Sequence, residues 1–82
     1  MIRYTIVYER VDDPSFSPGY YYAHISALDI TTHGKGIEGA KEAAYDLIKL
    51  WLAEKKANGE RVRREEGAFV STIEIEEDAL LS

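Results

Sequence analysis

The stretch Ile37 to Asn58, IEGAKEAAYDLIKLWLAEKKAN, decides the fold. Ile37, Ala40, Ala44, Leu47, Ile48, Trp51 and Leu52 recur at the three- and four-residue spacing of one helix face, while Glu38, Lys41, Glu42, Asp46, Lys49 and Glu54 fall largely outside it. Asn58-Gly59 closes the helix, because glycine tolerates the left-handed conformation in which many helices end. Its start lacks an ordinary cap. Gly36 stands where Ser, Thr, Asp or Asn would accept hydrogen bonds from the first turn, and Glu38 partly compensates through the helix dipole.

Outward from the helix the period changes from 3.6 to 2. Arg3 to Arg10 places Tyr4, Ile6 and Tyr8, with Ile2 before them, on one side and Arg3, Thr5, Val7 and Glu9 on the other, which predicts a half-buried strand. Val11 to Gly19, VDDPSFSPG, is rich in turn formers and connects this strand to the next. Tyr20 to Ser26 is a second strand, with Tyr21, Ala23 and Ile25 facing the core and Tyr20, Tyr22, His24 and Ser26 on the opposite side. After a turn near Ala27 to Asp29, Ile30 to His33 forms a short third strand that Gly34-Lys35-Gly36 breaks.

Beyond the helix, Glu60 to Gly67 (ERVRREEG) is a charged crossing. In the run that follows, Phe69, Ser71, Ile73 and Ile75 alternate with Val70, Thr72, Glu74 and Glu76, which predicts a fourth strand. Residues 77–82 read as a short frayed tail. A strand that follows a helical crossover is most easily placed parallel to an existing strand by a right-handed connection, and the first strand is the expected partner. The expectation is therefore one domain over residues 1–82, of α+β class and β-β-β-α-β order. It would hold a four-stranded mixed sheet of order 3-2-1-4 with one long helix packed on one face. The uncovered face is the candidate interface with a partner or a second copy, through Val7, Tyr20, Tyr22, His24 and Val70.

The composition narrows the function classes. A chain of 82 residues buries little more than about 60% of its unfolded surface, so its core is modest and self-association, as a dimer or tetramer, would help it. Absence of cysteine excludes a disulfide framework, a thiolate zinc site and a Cys nucleophile. The N-terminus MIRYTIVYER alternates and carries charge where a signal peptide needs an unbroken apolar run, and no stretch approaches the about 18 apolar residues of a membrane span. A cytoplasmic protein without membrane partners is expected. Fifteen acidic residues against ten basic, a formal charge of −5, argue against direct binding to nucleic acid and favour a basic protein partner.

No constellation points to catalysis or to a cofactor. Histidine is a proton-transfer and metal-ligand residue type, which singles out His24 and His33, but Asp29 is the only carboxylate near them in sequence. Asp12, Asp13 and Asp29 are too scattered for a two-metal carboxylate cluster, and the first two suit backbone hydrogen bonding in a turn. Arg61, Arg63 and Arg64 lie among Glu60, Glu65 and Glu66, which predicts a solvated loop that pairs its own charges. Tyr20-Tyr21-Tyr22 must place at least one ring on each sheet face, and tyrosine is favoured in interfaces.

Four segments together resemble the HicB-like antitoxin domain: Tyr4-Thr5-Ile6-Val7-Tyr8-Glu9, Gly19-Tyr20-Tyr21-Tyr22-Ala23-His24-Ile25, Thr32-His33-Gly34 and Ile37-Glu38-Gly39-Ala40-Lys41-Glu42-Ala43. The resemblance covers nearly the whole chain. It implies a unit similar to a truncated ribonuclease H fold without its active site, which binds and neutralises a small basic RNA-cleaving toxin of the HicA type. Two places depart from the family pattern. A Pro-Asp-Leu-Pro-Gly-like turn is replaced by Ser26-Ala27-Leu28-Asp29-Ile30, and the glycine-polar-Thr helix entry by Gly34-Lys35-Gly36. Many members also carry a C-terminal DNA-binding segment, so the resemblance here is to a stand-alone form.

Overall fold

In the computed structural model, which describes residues 1–78, the alternating runs before the helix pair as one antiparallel sheet. Its order is β1 (Val7–Arg10), β2 (Tyr20–Ile25), β3 (Ile30–Lys35). Val7 faces His24 and Arg10 faces Tyr21 across β1 and β2; Tyr20 faces Lys35 and Ile25 faces Ile30 across β2 and β3. Side chains alternate across a strand, so this register turns Tyr21, Ala23 and Ile25 to the same face. Ala23 and Ile25 are fully buried there.

Helix α1 (Gly36–Ala57) covers that face over β2 and β3, with Ala40 and Ala44 fully buried at the contact. Leu28 completes the buried core, and Tyr4, Ile6, Tyr8, Tyr21, Ile30, Ile48 and Trp51 pack around it half-buried. Three of the five buried side chains are alanines, which hold helix and sheet close but contribute little apolar area. Ile25 is the largest side chain fully buried, and burying it stabilises by roughly 1.5–3 kcal/mol before ordering entropy offsets part of the gain.

Gly34 has a different part from the strand breaker its sequence suggests. β3 runs through it to Lys35, because a Cβ at Gly34 would lie 2.4 Å from the Gly39 carbonyl carbon and oxygen and 2.6 Å from the Ala40 nitrogen. The missing side chain is what lets the helix backbone rest on the strand. At the far end, Gly59 with φ +69 donates to the Lys56 carbonyl and Glu60 to the Lys55 carbonyl, the paired bonds of a Schellman stop. Between β2 and β3 the chain makes one 3-10 turn, Ser26–Leu28, closed by Asp29 in the left-handed region at φ 56.

Among the described residues there is no fourth strand. Phe69 (94% exposed) and Ile73 (84%) stand in solvent, and the expected four-stranded mixed sheet of order 3-2-1-4 is a three-stranded antiparallel sheet. The path of the chain after the helix explains the correction. Val11 donates to the Tyr20 carbonyl at 3.0 Å, so the odd residues of β1 turn their N–H towards β2, and Ile6, Tyr8 and Arg10 turn theirs to the free edge. Thr5 is odd, and β2 has already turned away beside it at Ser26.

Glu65 fills the vacated lane. Its Oε1 accepts the Thr5 N–H at 2.7 Å and its Oε2 the Thr5 hydroxyl at 2.9 Å, while the Tyr4 hydroxyl donates to the Arg63 carbonyl. The crossing therefore meets the N-terminal segment on the side of β2 and leaves the outer edge of β1 bare. At Gly67, with φ +85, the backbone turns and the alternating segment departs from the sheet.

Smaller corrections share the same physics. The first strand is laddered only from Val7, not from Arg3, because β2 ends at Ile25 and the register leaves Arg3, Tyr4 and Thr5 with no β2 residue to face. Ile37, expected on the buried stripe, is 51% exposed, since the strand-helix contact begins after it, at Gly39 and Ala40. Of the tail expected over residues 77–82, Glu77 and Asp78 are exposed and residues 79–82 lie outside the described residues. No helix of the described residues is long and apolar enough to cross a membrane.

The departing segment leaves its mark on the dimensions. The accessible surface is 7126 Å² for a mass of 9.3 kDa, where a compact monomer of that mass would show about 5000 Å². The radius of gyration is 16.2 Å, against about 12 Å for a compact chain of this length.

Candidate functional site

The sheet face opposite the helix is the part of the molecule with most chemical content. Period 2 puts Tyr20, Tyr22 and His24 of β2 on it, with Val7 and Glu9 of β1 to one side and Thr31 and His33 of β3 to the other. Val7, Tyr20, Tyr22 and His24 thus share the surface expected for them. Val70 does not join them; it is 66% exposed on the departing segment, off the sheet, because the strand that would have carried it is not formed.

The connection between β1 and β2 adds a residue that the strand pattern alone does not supply. Asp13 builds a tight turn: its Oδ1 accepts the Ser15 N–H at 2.9 Å and the Ser15 hydroxyl at 2.8 Å, and its carbonyl accepts the Phe16 N–H at 3.0 Å. The Ser15 backbone and side-chain bonds hold the Asp13 carboxyl below its ordinary pKa. The turn folds Phe16 back over the sheet, where its ring meets His33 edge-on at 5.0 Å, Tyr20 at 5.8 Å and Tyr22 at 6.2 Å. Tyr22 in turn stands 5.9 Å from His24. Such pairs each add about 0.5–1.5 kcal/mol beyond the area they bury, so the layer is held in place before any partner arrives. Phe16 is the one large apolar residue in a loop of turn formers, and that isolation was the available signal.

No family model matches this chain, and neither a curated protein nor a solved structure does.

His24 is fixed at both ring nitrogens. Nδ1 lies 3.0 Å from the Thr31 hydroxyl and Nε2 3.0 Å from Glu9 Oε1, so it has no free nitrogen to offer a metal or a substrate proton. The His33 ring is engaged with Phe16 and Tyr20. Asp12 and Asp13 sit in the β1–β2 connection and Asp29 beyond the other end of β2, so the three carboxylates do not converge. Among the described residues no group of three or more His, Asp or Glu side chains is placed to hold a metal ion.

A wide depression lies elsewhere, between Ser26-Ala27 and the crossing that carries Arg61, Arg63 and Arg64. Its charges do not pair among themselves as the sequence suggests. Glu60 meets Lys55 at 3.5 Å, Glu65 binds Thr5, and Arg63 reaches the Ala27 carbonyl at 3.5 Å. These side chains fasten the crossing to the fold. The open sheet face, by contrast, presents amphipathic rings with apolar bodies and polar tips, the side-chain types enriched where proteins meet.

Proposed function

We propose that this chain is a non-enzymatic protein-interaction module of the kind its resemblance to HicB-type antitoxins implies, acting in the cytoplasm. Its open sheet face would cover a small basic RNA-cleaving toxin of the HicA type, with Val7, Tyr20, Tyr22 and His24 as the contact residues. The observation that carries this reading is the aromatic layer of Phe16, Tyr20, Tyr22 and His33 on a face that the helix leaves uncovered. The formal charge of −5 suits a basic partner, since complementary charge steers encounter and fixes register. No cofactor enters.

The test is co-expression with the product of any short basic reading frame beside its gene. A complex that survives purification, together with rescue of growth by this chain, is the expected result. Tyr22→Asp should weaken that complex at least tenfold, because it puts a charge at the centre of a desolvated contact. Failure of both binding and rescue removes the antitoxin reading.

A second reading is favoured by a separate observation, the exposed apolar side chains of Phe69, Val70, Ile73 and Ile75. The chain would then be a homo-oligomeric structural or regulatory domain without a toxin partner. It expects no basic neighbouring frame and a light-scattering mass above that of the monomer. A strictly monomeric species from micromolar to millimolar concentration would end it.

A further inference from the structure

We propose that two copies of the chain exchange residues 69–76, each laid antiparallel along the other copy's N-terminal segment, residues 2–8, on the outer side that leads into β1. The interaction uses a strand edge and reaches the open face only at Val7, leaving the rings of Phe16, Tyr20, Tyr22 and His33 free, so it stands whether or not a toxin exists. Two unpartnered features fit each other. On the outer side, the backbone groups of Ile6, just before β1, and of Tyr8 within it have no neighbouring strand among the described residues. The segment Phe69 to Glu76 alternates with the period of a strand and exposes its apolar members, Ile73 at 84% and Ile75 at 66%.

One antiparallel register matches at every position but one, where Ser71 falls against Ile6. With Val70 against Val7, Phe69 falls against Tyr8, Thr72 against Thr5, Ile73 against Tyr4, Glu74 against Arg3 and Ile75 against Ile2. Aromatic, β-branched, Thr–Thr and opposite-charge pairs are the cross-strand combinations that stabilise sheets. Phe69, Ile73 and Ile75 join the side where Tyr4, Ile6 and Tyr8 already pack on the core, and Glu74 takes the open side. Alternative alignments are worse. A parallel strand with Val70 against Thr5 would set Glu74 against Glu9 and Ile75 against Arg10, and an antiparallel shift of two would set Val70 against Glu9.

The segment's own β1 is out of reach in this register. The Glu65 carboxylate is held at Thr5 on the side of β2, and Phe69 would have to lie beside Tyr8 in the lane beyond β1. That is about 10 Å across two strand spacings and about 10 Å along the strand, or about 14 Å through β1 itself. Four residues extend to about 14 Å at most, and the path around the strand is longer. A second copy has no such tether. The surface in excess of a compact monomer, about 2000 Å², is on the scale that specific interfaces bury.

The experiment uses the absence of native cysteine. Val7 turns its backbone groups towards β2, so on the outer edge Val7 and Val70 form a non-hydrogen-bonded pair, the kind whose side chains approach most closely. One chain carrying Val7→Cys is mixed with a tagged chain carrying Val70→Cys under mild oxidation. A disulfide-linked heterodimer of about twice 9.3 kDa is expected. Ile73→Asp in both chains should cut its yield at least tenfold and return the light-scattering mass to the monomer, with the helical circular dichroism unchanged. The proposal is overturned by a purely intrachain bridge in the doubly substituted chain, or by no cross-link. It is equally overturned if Val7→Cys alone dimerises as fast as the mixture, since that reports edge-to-edge pairing of two β1 strands. A dimer that survives Ile73→Asp but not Tyr22→Asp overturns it in favour of the aromatic face.

Discussion

β2 and the segment from Phe69 to Glu76 carry the same alternation, yet one is the centre of the sheet and the other stands in solvent. In β2 every inward residue lands on something: Ala23 and Ile25 are fully buried beneath Ala40 and Ala44. In the later segment Ile73, of the same chemical type as Ile25, is 84% exposed. Period 2 determines which side chains share a face; it does not supply the strand that must lie beside them. The connection does that. The turn from Ser26 to Asp29 drops β3 directly onto β2, whereas the helix and its charged crossing deliver the later segment to the occupied side of β1.

The sharpest way to break the packed region is at the backbone contact between β3 and α1. Gly34→Ala puts a Cβ 2.4 Å from Gly39 backbone atoms that no rotamer change can move, and it should destabilise by on the order of 4 kcal/mol in urea unfolding. The opposite partner is the control. A Cβ at Gly39 meets nothing nearer than 3.6 Å, so Gly39→Ala should be neutral or stabilising by about 0.5–1 kcal/mol through helix propensity. Equal losses at the two positions would mean that the helix does not rest on Gly34.

The two isoleucines test the comparison directly. Ile25→Ala removes the largest fully buried side chain and should cost about 3 kcal/mol. Ile73→Ala should leave the unfolding free energy of the dilute chain within about 0.5 kcal/mol of the parent. If Ile73→Ala costs as much as Ile25→Ala under those conditions, the segment packs within its own chain and the contrast fails.

What the sequence disclosed follows the same division. The helix from Ile37 to Asn58 is observed as Gly36–Ala57 with Asn58 as its cap, because its face and its stop are both written in adjacent residues. The inward set of β2 was equally legible, since Tyr21, Ala23 and Ile25 alternate with a visibly different set. The expected fourth strand is not formed, because its pairing depends on a tether at Thr5 and Glu65, 60 residues apart, and on a turn at Gly67. Neither leaves a local pattern. The aromatic face was half legible. Tyr20, Tyr22 and His24 followed from alternation, while Phe16 reaches the face only through the turn that Asp13 and Ser15 close.

Glu65 is the joint between the two regions, and its removal gives a smaller and more local loss than that of Ile25 or of the Gly34 contact. Its carboxylate stands in for the strand that β2 no longer provides, accepting the Thr5 N–H at 2.7 Å and the Thr5 hydroxyl at 2.9 Å in a half-buried place. Glu65→Ala leaves the Thr5 N–H without its acceptor and should cost about 1–2 kcal/mol. Glu65→Gln keeps an acceptor oxygen and an amide that the Thr5 hydroxyl can accept from, so it should lose less than half of that. The discriminating measurement is amide hydrogen exchange. The Thr5 amide should exchange faster in Glu65→Ala by at least tenfold, while that of Ala23, deep in the β2 ladder, should change only with global stability. An unchanged rate at Thr5 would mean that the crossing passes the N-terminal segment without replacing its missing strand, and that Glu65 does not direct residues 69–76 away from the sheet.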